Sequence, residues 1–198
     1  MAETDFYSSR AYNNTVKVAL HICCAVCAAG AAERLIQEGH RVYGLFYNPN
    51  IHPEDEYRRR LESVRRVALE LGFSLEEGPY LPDEWRQAVV SLENEPEGGK
   101  RCPVCFKMRL EQTYRFMLDY GCEAFTTTLT MGPNKPAVLI DAIGGNIGGE
   151  RFLRRDFKKK EGFKRACELA GKWGLYRQDY CGCEYSLRER EARKNRQG

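Results

Sequence analysis

The sequence lacks the features that would place it in a membrane or outside the cell. No stretch approaches the ~20 consecutive apolar residues that cross a bilayer, and residues 1–15 are polar, without the apolar core of a signal peptide. The formal net charge of +3 is too small to indicate a nucleic-acid partner by itself. We therefore expect a cytoplasmic protein with no membrane partner, in a compartment where thiols stay reduced and clustered cysteines indicate metal or redox chemistry.

The sequence also has no recognisable phosphate-binding loop, internal repeat or low-complexity linker. The glycine-rich segment 144–149 follows no strong strand and precedes no Walker-type lysine, so we interpret it as a flexible turn. Cysteines stand after the first predicted strand, where a serine- and glycine-rich nucleotide loop would lie. With 198 residues, the chain is long enough for one domain with a sizeable core.

Cysteine is abundant, and seven of the nine cysteines fall into three tight groups. These seven clustered cysteines are Cys23, Cys24, Cys27, Cys102, Cys105, Cys181 and Cys183. Thiolates two to four residues apart can ligate one metal from a single loop, and distant loops can close around it in the folded chain. Seven thiolates exceed the needs of one tetrahedral zinc. The surplus favours an iron–sulfur cluster, which takes four cysteines, and leaves thiols for a second metal or for chemistry.

Short β-rich runs alternate with helical segments along the chain. Strands are predicted at residues 16–22, 41–47, 73–76 and 125–129, and helices at 28–38, 53–71, 83–93, 103–120 and 162–170. This alternation predicts an α/β fold with a parallel sheet, whose functional site lies beyond the carboxyl ends of the strands. We divide the chain into a polar tail (1–15), one metal-binding domain (16–187) whose later part is basic and partly helical, and a basic tail (188–198).

Two cysteine pairs precede predicted helices, where the helix dipole and free backbone amides favour thiolate over thiol. Pro103 is expected at the first helical position after Cys102. Cys122 and Cys167 stand alone and are interpreted as small core residues.

The three histidines are weaker signals than the cysteines. His21 ends a strand and is expected to form hydrogen bonds rather than to bind metal. We expect His40 at the surface and His52, beside Pro53, in a substrate loop.

Basic residues are concentrated locally. Residues 151–165 contain eight basic side chains against two acidic ones, and further basic groups occur at 58–66 and 188–196. A single charge run is usually a solvated helix face. Three such runs beside a metal-binding chain make a polyanionic partner plausible.

Six ordered segments carry a family resemblance. They are residues 21–27, 46–53, 95–106, 125–130, 156–159 and 175–183. In order and spacing they resemble the non-cobalamin epoxyqueuosine reductase family QueH, and the resemblance covers residues 16 to 187.

The resemblance implies an oxidoreductase that removes the epoxide oxygen of epoxyqueuosine at the wobble position of tRNA, the last step of queuosine biosynthesis. It also implies a Rossmann-like domain of the HUP (nucleotide-hydrolase-like) type, a 4Fe-4S cluster and a second, mononuclear iron. The partners implied are tRNA carrying epoxyqueuosine and a low-potential electron donor of the ferredoxin or flavodoxin type.

The resemblance further implies roles for single residues. All seven clustered cysteines are expected to bind metal, all except Cys27 to bind the cofactor, and Cys23 and Cys27 to serve catalysis. A possible division gives Cys24, Cys102, Cys105 and Cys183 to the cluster, and Cys23, Cys27 and Cys181 to the second iron or to proton delivery. Cys27 stands where some family members carry an aspartate. The residues expected to position substrate are Asn48, Asn50, Arg101 and Tyr180 beside the clusters, and Arg154, Arg155, Lys158 and Lys159 on the basic stretch.

Two other functions stay open from the residues alone. A zinc-stabilised tRNA-binding module would use the same cysteines and basic residues without catalysis. An iron–sulfur tRNA-thiolating enzyme would share the fold, but it would need ATP and a serine- and glycine-rich loop after the first strand.

Overall fold

The computed structural model describes residues 15–132 and 135–196. Most of the polar tail predicted at residues 1–15 therefore lies outside the described residues. Among those described, no helix has both the length and the apolar composition needed to span a bilayer.

Four parallel strands form the central sheet, as the alternation of strands and helices predicts. They are β1 (Lys17–His21), β2 (Arg41–Phe46), β3 (Ser74–Glu77) and β4 (Ala124–Thr127). The spatial order is β3-β2-β1-β4, and His21 at the end of β1 lies opposite Leu45 and Thr127. The carboxyl ends of β1, β2 and β4 therefore meet at one edge, below the first group of cysteines.

In the described part of the chain, seven helices surround the sheet. They are α1 (Ala25–Gln37), α2 (Glu54–Leu71), α3 (Pro82–Ala88), α4 (Arg101–Asp119), α5 (Ala137–Gly148), α6 (Gly162–Trp173) and α7 (Glu184–Asn195), with short 3-10 turns at Thr128–Met131 and Gly149–Arg151. Local sequence explains the bounds of α2, since three acidic residues fill its first turn and Gly72 ends it with φ 69°.

The two faces of the sheet bury separate clusters. Val18 and Leu20 of β1 pack with α1, α2 and α6, while Ala19 packs on the opposite face with α4 and α5. This alternation is the period-two pattern of a strand covered on both sides. The result is a three-layer α/β/α domain.

The interpretation of residues 144–149 as a flexible turn is wrong. Gly144 and Gly148 lie inside α5, where a Cβ at Gly144 would fall 2.5 Å from the Phe152 ring and one at Gly148 would fall 2.3 Å from Phe125. The glycines let the helix backbone approach two aromatic rings, so glycine here indicates close packing rather than a turn.

Other boundaries also differ from the sequence prediction. α1 begins at Ala25, so Cys27 lies in its first turn, and Pro103 is the third residue of α4 rather than the first. Proline is tolerated there because the first amides of a helix have no partner inside it. The boundary predicted between residues 187 and 188 falls inside α7.

Candidate metal centre

The first cysteine group sits directly on the carboxyl edge of the sheet. Ile22, Cys23 and Cys24 connect β1 to α1, Cys24 is the residue before the helix, and Cys27 follows in its first turn. The three Sγ atoms of this group all lie within 4.8 Å of one another. No other group of metal-ligand type meets that criterion among the described residues. We call these three residues the cysteine triad.

Hydrogen bonds from the neighbouring strands fix the position of Cys23. Its amide donates to Thr128 Oγ1 over 3.0 Å, and the Thr128 hydroxyl donates to Cys23 Sγ over 3.2 Å. Thr128 follows β4 directly, and β4 pairs with β1. The segment after β4 therefore holds Cys23, which follows β1.

His21 has a supporting role, as its position at a strand end predicts. Nδ1 lies 2.8 Å from Thr127 Oγ1, and Nε2 lies 3.2 Å from the Tyr47 carbonyl oxygen. Burial and then the charge of Arg109 lower the pKa of His21 to about 3, so the ring is neutral. A neutral imidazole with both nitrogens engaged ties the ends of β1, β2 and β4 together.

The three thiols of the triad differ in their affinity for protons. Hydrogen bonds from the Cys24 and Cys27 thiols hold the pKa of Cys23 well below its usual value, although burial opposes them. The hydrogen bond to Cys23 raises the pKa of Cys24 to about 12 and that of Cys27 well above the ordinary range. Within the triad, Cys23 therefore holds its proton least tightly, and a bound cation would displace the protons of Cys24 and Cys27.

The second cysteine pair lies at the start of α4. The Gly98 amide donates to Cys102 Sγ over 3.2 Å, and Cys105 is buried against Trp85 and Cys183. Burial raises the pKa of Cys105 to about 11, against the charge of Arg109. Cys181 and Cys183 both act electrostatically on Cys102 and on Cys105, so the fold brings the second and third pairs together.

A buried ion pair on α2 binds the backbone of the segment that carries the third cysteine pair. Arg60 is 2 % exposed; its Nε donates to Glu56 over 2.7 Å, and its other nitrogens donate to the carbonyl oxygens of Cys181 and Tyr180 over 3.0 and 3.2 Å. Between the two cysteines, Gly182 has φ 129°, a conformation that residues with a Cβ rarely adopt.

A cavity of about 300 Å³ opens beside the triad. Cys23, Cys24, Cys27 and Cys181 all contribute to its wall, whereas Cys102, Cys105 and Cys183 do not. Its cationic lining residues are Arg60, Arg109, Lys135, Arg177 and Arg193, and its acidic ones are Glu97 and Asp179. The excess of positive charge suits an anionic guest or a metal–thiolate group.

None of the five cations in this wall belongs to the site that the sequence predicts, and two of them lie close to clustered cysteines. Lys135 Nζ lies 3.5 Å from Cys181 Sγ, and the charges of Cys181 and Cys23 raise the pKa of Lys135. Arg109 lies on α4 four residues after Cys105, a spacing that puts both on one helix face. That spacing is a signal in the sequence; for Lys135, on a loop far from every cysteine in the chain, the sequence contains none.

The residues expected to position substrate occupy different environments. Asn48 is buried and donates to the Ile22 carbonyl over 2.9 Å, and the buried Asn50 packs against Gly182. Tyr180 lines the cavity, and its hydroxyl donates to the His52 carbonyl. Arg101 is 1 % exposed, donates to the carbonyl oxygens of Leu92, Glu93 and Glu95, and is not part of the cavity wall.

The four basic residues of the predicted tRNA surface do not share one environment either. Arg154 and Lys159 are exposed. Arg155 pairs with Glu38 at 3.4 Å, and Lys158 Nζ donates to the Lys135 carbonyl over 3.0 Å. Lys158 therefore supports the loop that carries Lys135.

The two lone cysteines lie away from the triad. Cys122 is buried and precedes β4, at the amino edge of the sheet. Cys167 lies in α6 and is only half-buried, so its interpretation as a core residue is wrong. His40 is also half-buried rather than at the surface.

Comparisons with known proteins agree on one family. Residues 18–189 match the family model described as Epoxyqueuosine reductase QueH. The protein of that name from Streptococcus pyogenes serotype M1 is 37% identical over 180 residues, which cover 86% of this chain and 70% of the relative. The one from Thermotoga maritima is 36% identical over 179 residues, covering 87% of this chain and 91% of the relative.

A solved structure shares the fold. The U34-tRNA thiolase NcsA from Methanococcus maripaludis, with its 4Fe-4S cluster, aligns with a TM-score of 0.53 at 16% sequence identity. The alignment covers 87% of this chain and 62% of that one. At this identity the likeness concerns the fold alone.

Proposed function

The chain belongs to the epoxyqueuosine reductase QueH family, and on that premise we propose that it reduces the epoxide of epoxyqueuosine in tRNA to give queuosine. The reaction breaks both C–O bonds of the epoxide, forms a C=C bond, consumes two electrons and two protons, and releases the oxygen as water. The observation that carries the proposal is the cysteine triad in the wall of a cationic cavity, which Cys181 of the third pair also lines.

The side chains present fit iron–sulfur and iron ligation. Tetrahedral ions with bonds of about 2.3 Å to sulfur bring thiolates within about 4 Å of one another, and the Sγ atoms of the triad lie within 4.8 Å. A cluster of the 4Fe-4S type requires four cysteines, so seven clustered cysteines suffice for a cluster and a second ion. The buried Arg109 adds a counter-charge for a group with net negative charge.

The lining of the cavity supports the hypothetical division for every clustered cysteine except Cys24. Cys23 and Cys181 are half-buried and Cys27 is 9 % exposed, and all three line the cavity where a substrate would enter. Cys105 and Cys183 lie behind the cavity wall. We assign the first three to the second iron and Cys102, Cys105, Cys183 and Cys24 to the cluster. Cys24 also lies within the triad, which places the two ligand sets side by side.

In this proposal, side chains of the protein stabilise the leaving oxygen and hold the metal ligands in place. When bound, the cluster supplies electrons one at a time, and an iron with an open position accepts negative charge from the leaving oxygen. Lys135 Nζ, in the cavity wall, places a positive charge and three N–H donors near that oxygen. The neutral His21 and the Thr128 hydroxyl hold Cys23 in place.

The partners follow from the chemistry. A wobble nucleotide reaches the cavity only as part of a tRNA, so the exposed basic groups outside the cavity are assigned to its phosphates. The electrons require a low-potential donor of the ferredoxin or flavodoxin type, and an enzyme that acts on cellular tRNA with such a donor works in the cytoplasm.

Anaerobic reconstitution tests the proposal. We expect more than four irons per chain with acid-labile sulfide, and conversion of epoxyqueuosine-tRNA to queuosine-tRNA by the reduced enzyme without cobalamin or ATP, measured by mass spectrometry of the digested tRNA. The variant Cys27→Ala should keep its sulfide while losing the extra iron and turnover. Zinc alone, with no turnover, would identify a tRNA-binding module, and ATP-dependent sulfur incorporation would identify a thiolase.

A further inference from the structure

Arg109 is a buried cation for which the reaction scheme above has no step. It lies on α4 and is 2 % exposed. Its Nε donates to the Cys105 carbonyl over 3.1 Å, and its buried Nη2 has no hydrogen-bond partner among the described residues. The guanidinium also forms part of the cavity wall.

No carboxylate neutralises Arg109 within the part of the chain that the structure describes. Other buried arginines have one: Arg60 pairs with Glu56 at 2.7 Å, and Arg101 lies 3.7 Å from Glu189. A buried charge is costly unless an opposite charge lies close to it.

Cysteines supply that opposite charge once they bind metal as thiolates. Arg109 Nε donates to the Cys105 carbonyl, and the guanidinium lines the same cavity wall as Cys23, Cys24, Cys27 and Cys181. Arg109 therefore lies beside cysteines of all three groups, in a position fixed by its hydrogen bond to the backbone of α4.

We propose, on the basis of the function proposed above, that Arg109 is the fixed counter-charge of the metal–thiolate centre and raises its reduction potential. Adding an electron makes the centre more negative, and a positive charge nearby stabilises that state. Solvent screens such a charge little at a buried site. Over about 10 Å at an effective dielectric constant of about 20, one unit charge changes the ratio of reduced to oxidised centre roughly tenfold.

The test separates the charge of Arg109 from its shape. Arg109→Lys keeps a charge without the guanidinium, Arg109→Gln keeps hydrogen-bonding groups without a charge, and Arg115→Gln changes an exposed arginine on the same helix. Iron and sulfide are quantified in the anaerobic holoproteins, and the redox state is then followed spectroscopically against applied potential.

At the wild-type midpoint we expect a roughly tenfold lower reduced-to-oxidised ratio in Arg109→Gln, with Arg109→Lys and Arg115→Gln close to wild type. If the Gln variant loses its metal and the Lys variant keeps it, the counter-charge is also supported. Equal potentials, or equal metal loss, in the Lys and Gln variants would overturn the inference. A wild-type protein that holds zinc would contradict the proposed function instead, and the zinc content of the two variants would still test the counter-charge.

Discussion

Arg60 and Arg58 lie on the same helix, and each pairs with the glutamate four residues before it. The Arg58–Glu54 pair is exposed, whereas the Arg60–Glu56 pair is buried and also holds the backbone of Tyr180 and Cys181. The two arginine–glutamate pairs have the same chemistry and spacing. They differ in burial, and only Arg60 also binds the backbone that carries the third cysteine pair.

Removing one member of the buried pair should be costly. We expect Arg60→Met to lower the free energy of unfolding by about 3–5 kcal/mol, because Glu56 would remain charged, buried and unpaired. The control Arg58→Met should change it by less than about 1 kcal/mol. Urea unfolding of the metal-free proteins measures both values, and similar losses in the two variants would contradict this account of Arg60.

Single residues also show the limit of sequence reasoning about the site. The spacing of the cysteines indicates a metal centre, since the members of each group lie at most four residues apart. His21 and Tyr180 could be connected with the centre because they flank cysteines in sequence, and Asn48 because it follows the end of a predicted strand. Lys135 reaches Cys181 from 46 residues away along the chain, and only the fold brings them within 3.5 Å.

At the scale of elements, periodicity located most of the α/β framework. All four strands and the helices α1, α2, α4 and α6 occur where alternating and 3.6-residue patterns predict them. α5 was missed because its glycines resemble a turn, and α7 because its charged sequence lacks an apolar stripe. Packing against Phe125 and Phe152 stabilises α5, whereas α7 consists mostly of residues with high helix propensity.

The close packing of α5 leads to a prediction. A Cβ at Gly148 would lie 2.3 Å from the Phe125 ring, whereas one at Gly171 in α6 would have no atom within 4 Å. We expect Gly148→Ala to lower the free energy of unfolding by about 1–3 kcal/mol, through overpacking. Gly171→Ala should raise it by up to about 1 kcal/mol, because alanine favours a helix over glycine. Thermal or urea unfolding distinguishes the two, and a stable Gly148→Ala would show that α5 can move away from β4.

At the scale of the whole molecule, the cavity and the basic residues define how a large polyanion would approach. The basic segment after α5 is only partly available for this purpose, because Arg155 is paired with Glu38. Glu38 follows the last turn of α1, about 16 Å along the helix from Cys27. Arg154 and Lys159 are exposed, and no described carboxylate pairs with either.

Salt dependence of tRNA binding should reflect this difference. We expect Arg154→Gln and Lys159→Gln each to reduce the slope of log K against log salt by about one, because each removes one phosphate contact. Arg155→Gln should leave the slope unchanged. Binding titrations at several salt concentrations give the slopes, with iron content as a check on integrity. Unchanged slopes for the first two variants would place the tRNA on another surface, such as the arginines at 58–66.

The separation of the three cysteine groups along the chain has a consequence for the synthesis of the protein itself. The sheet strands and α1 are complete by residue 127, but the last pair of thiols is at Cys181 and Cys183. A ribosome must therefore translate beyond Cys183 before the fold can offer a closed set of ligands, and domains generally begin to fold from the N-terminal side during synthesis. Iron arriving earlier would meet at most the five cysteines of the first two groups on the nascent chain, so the proposed centre can take up its full complement of iron only after Cys183 has emerged.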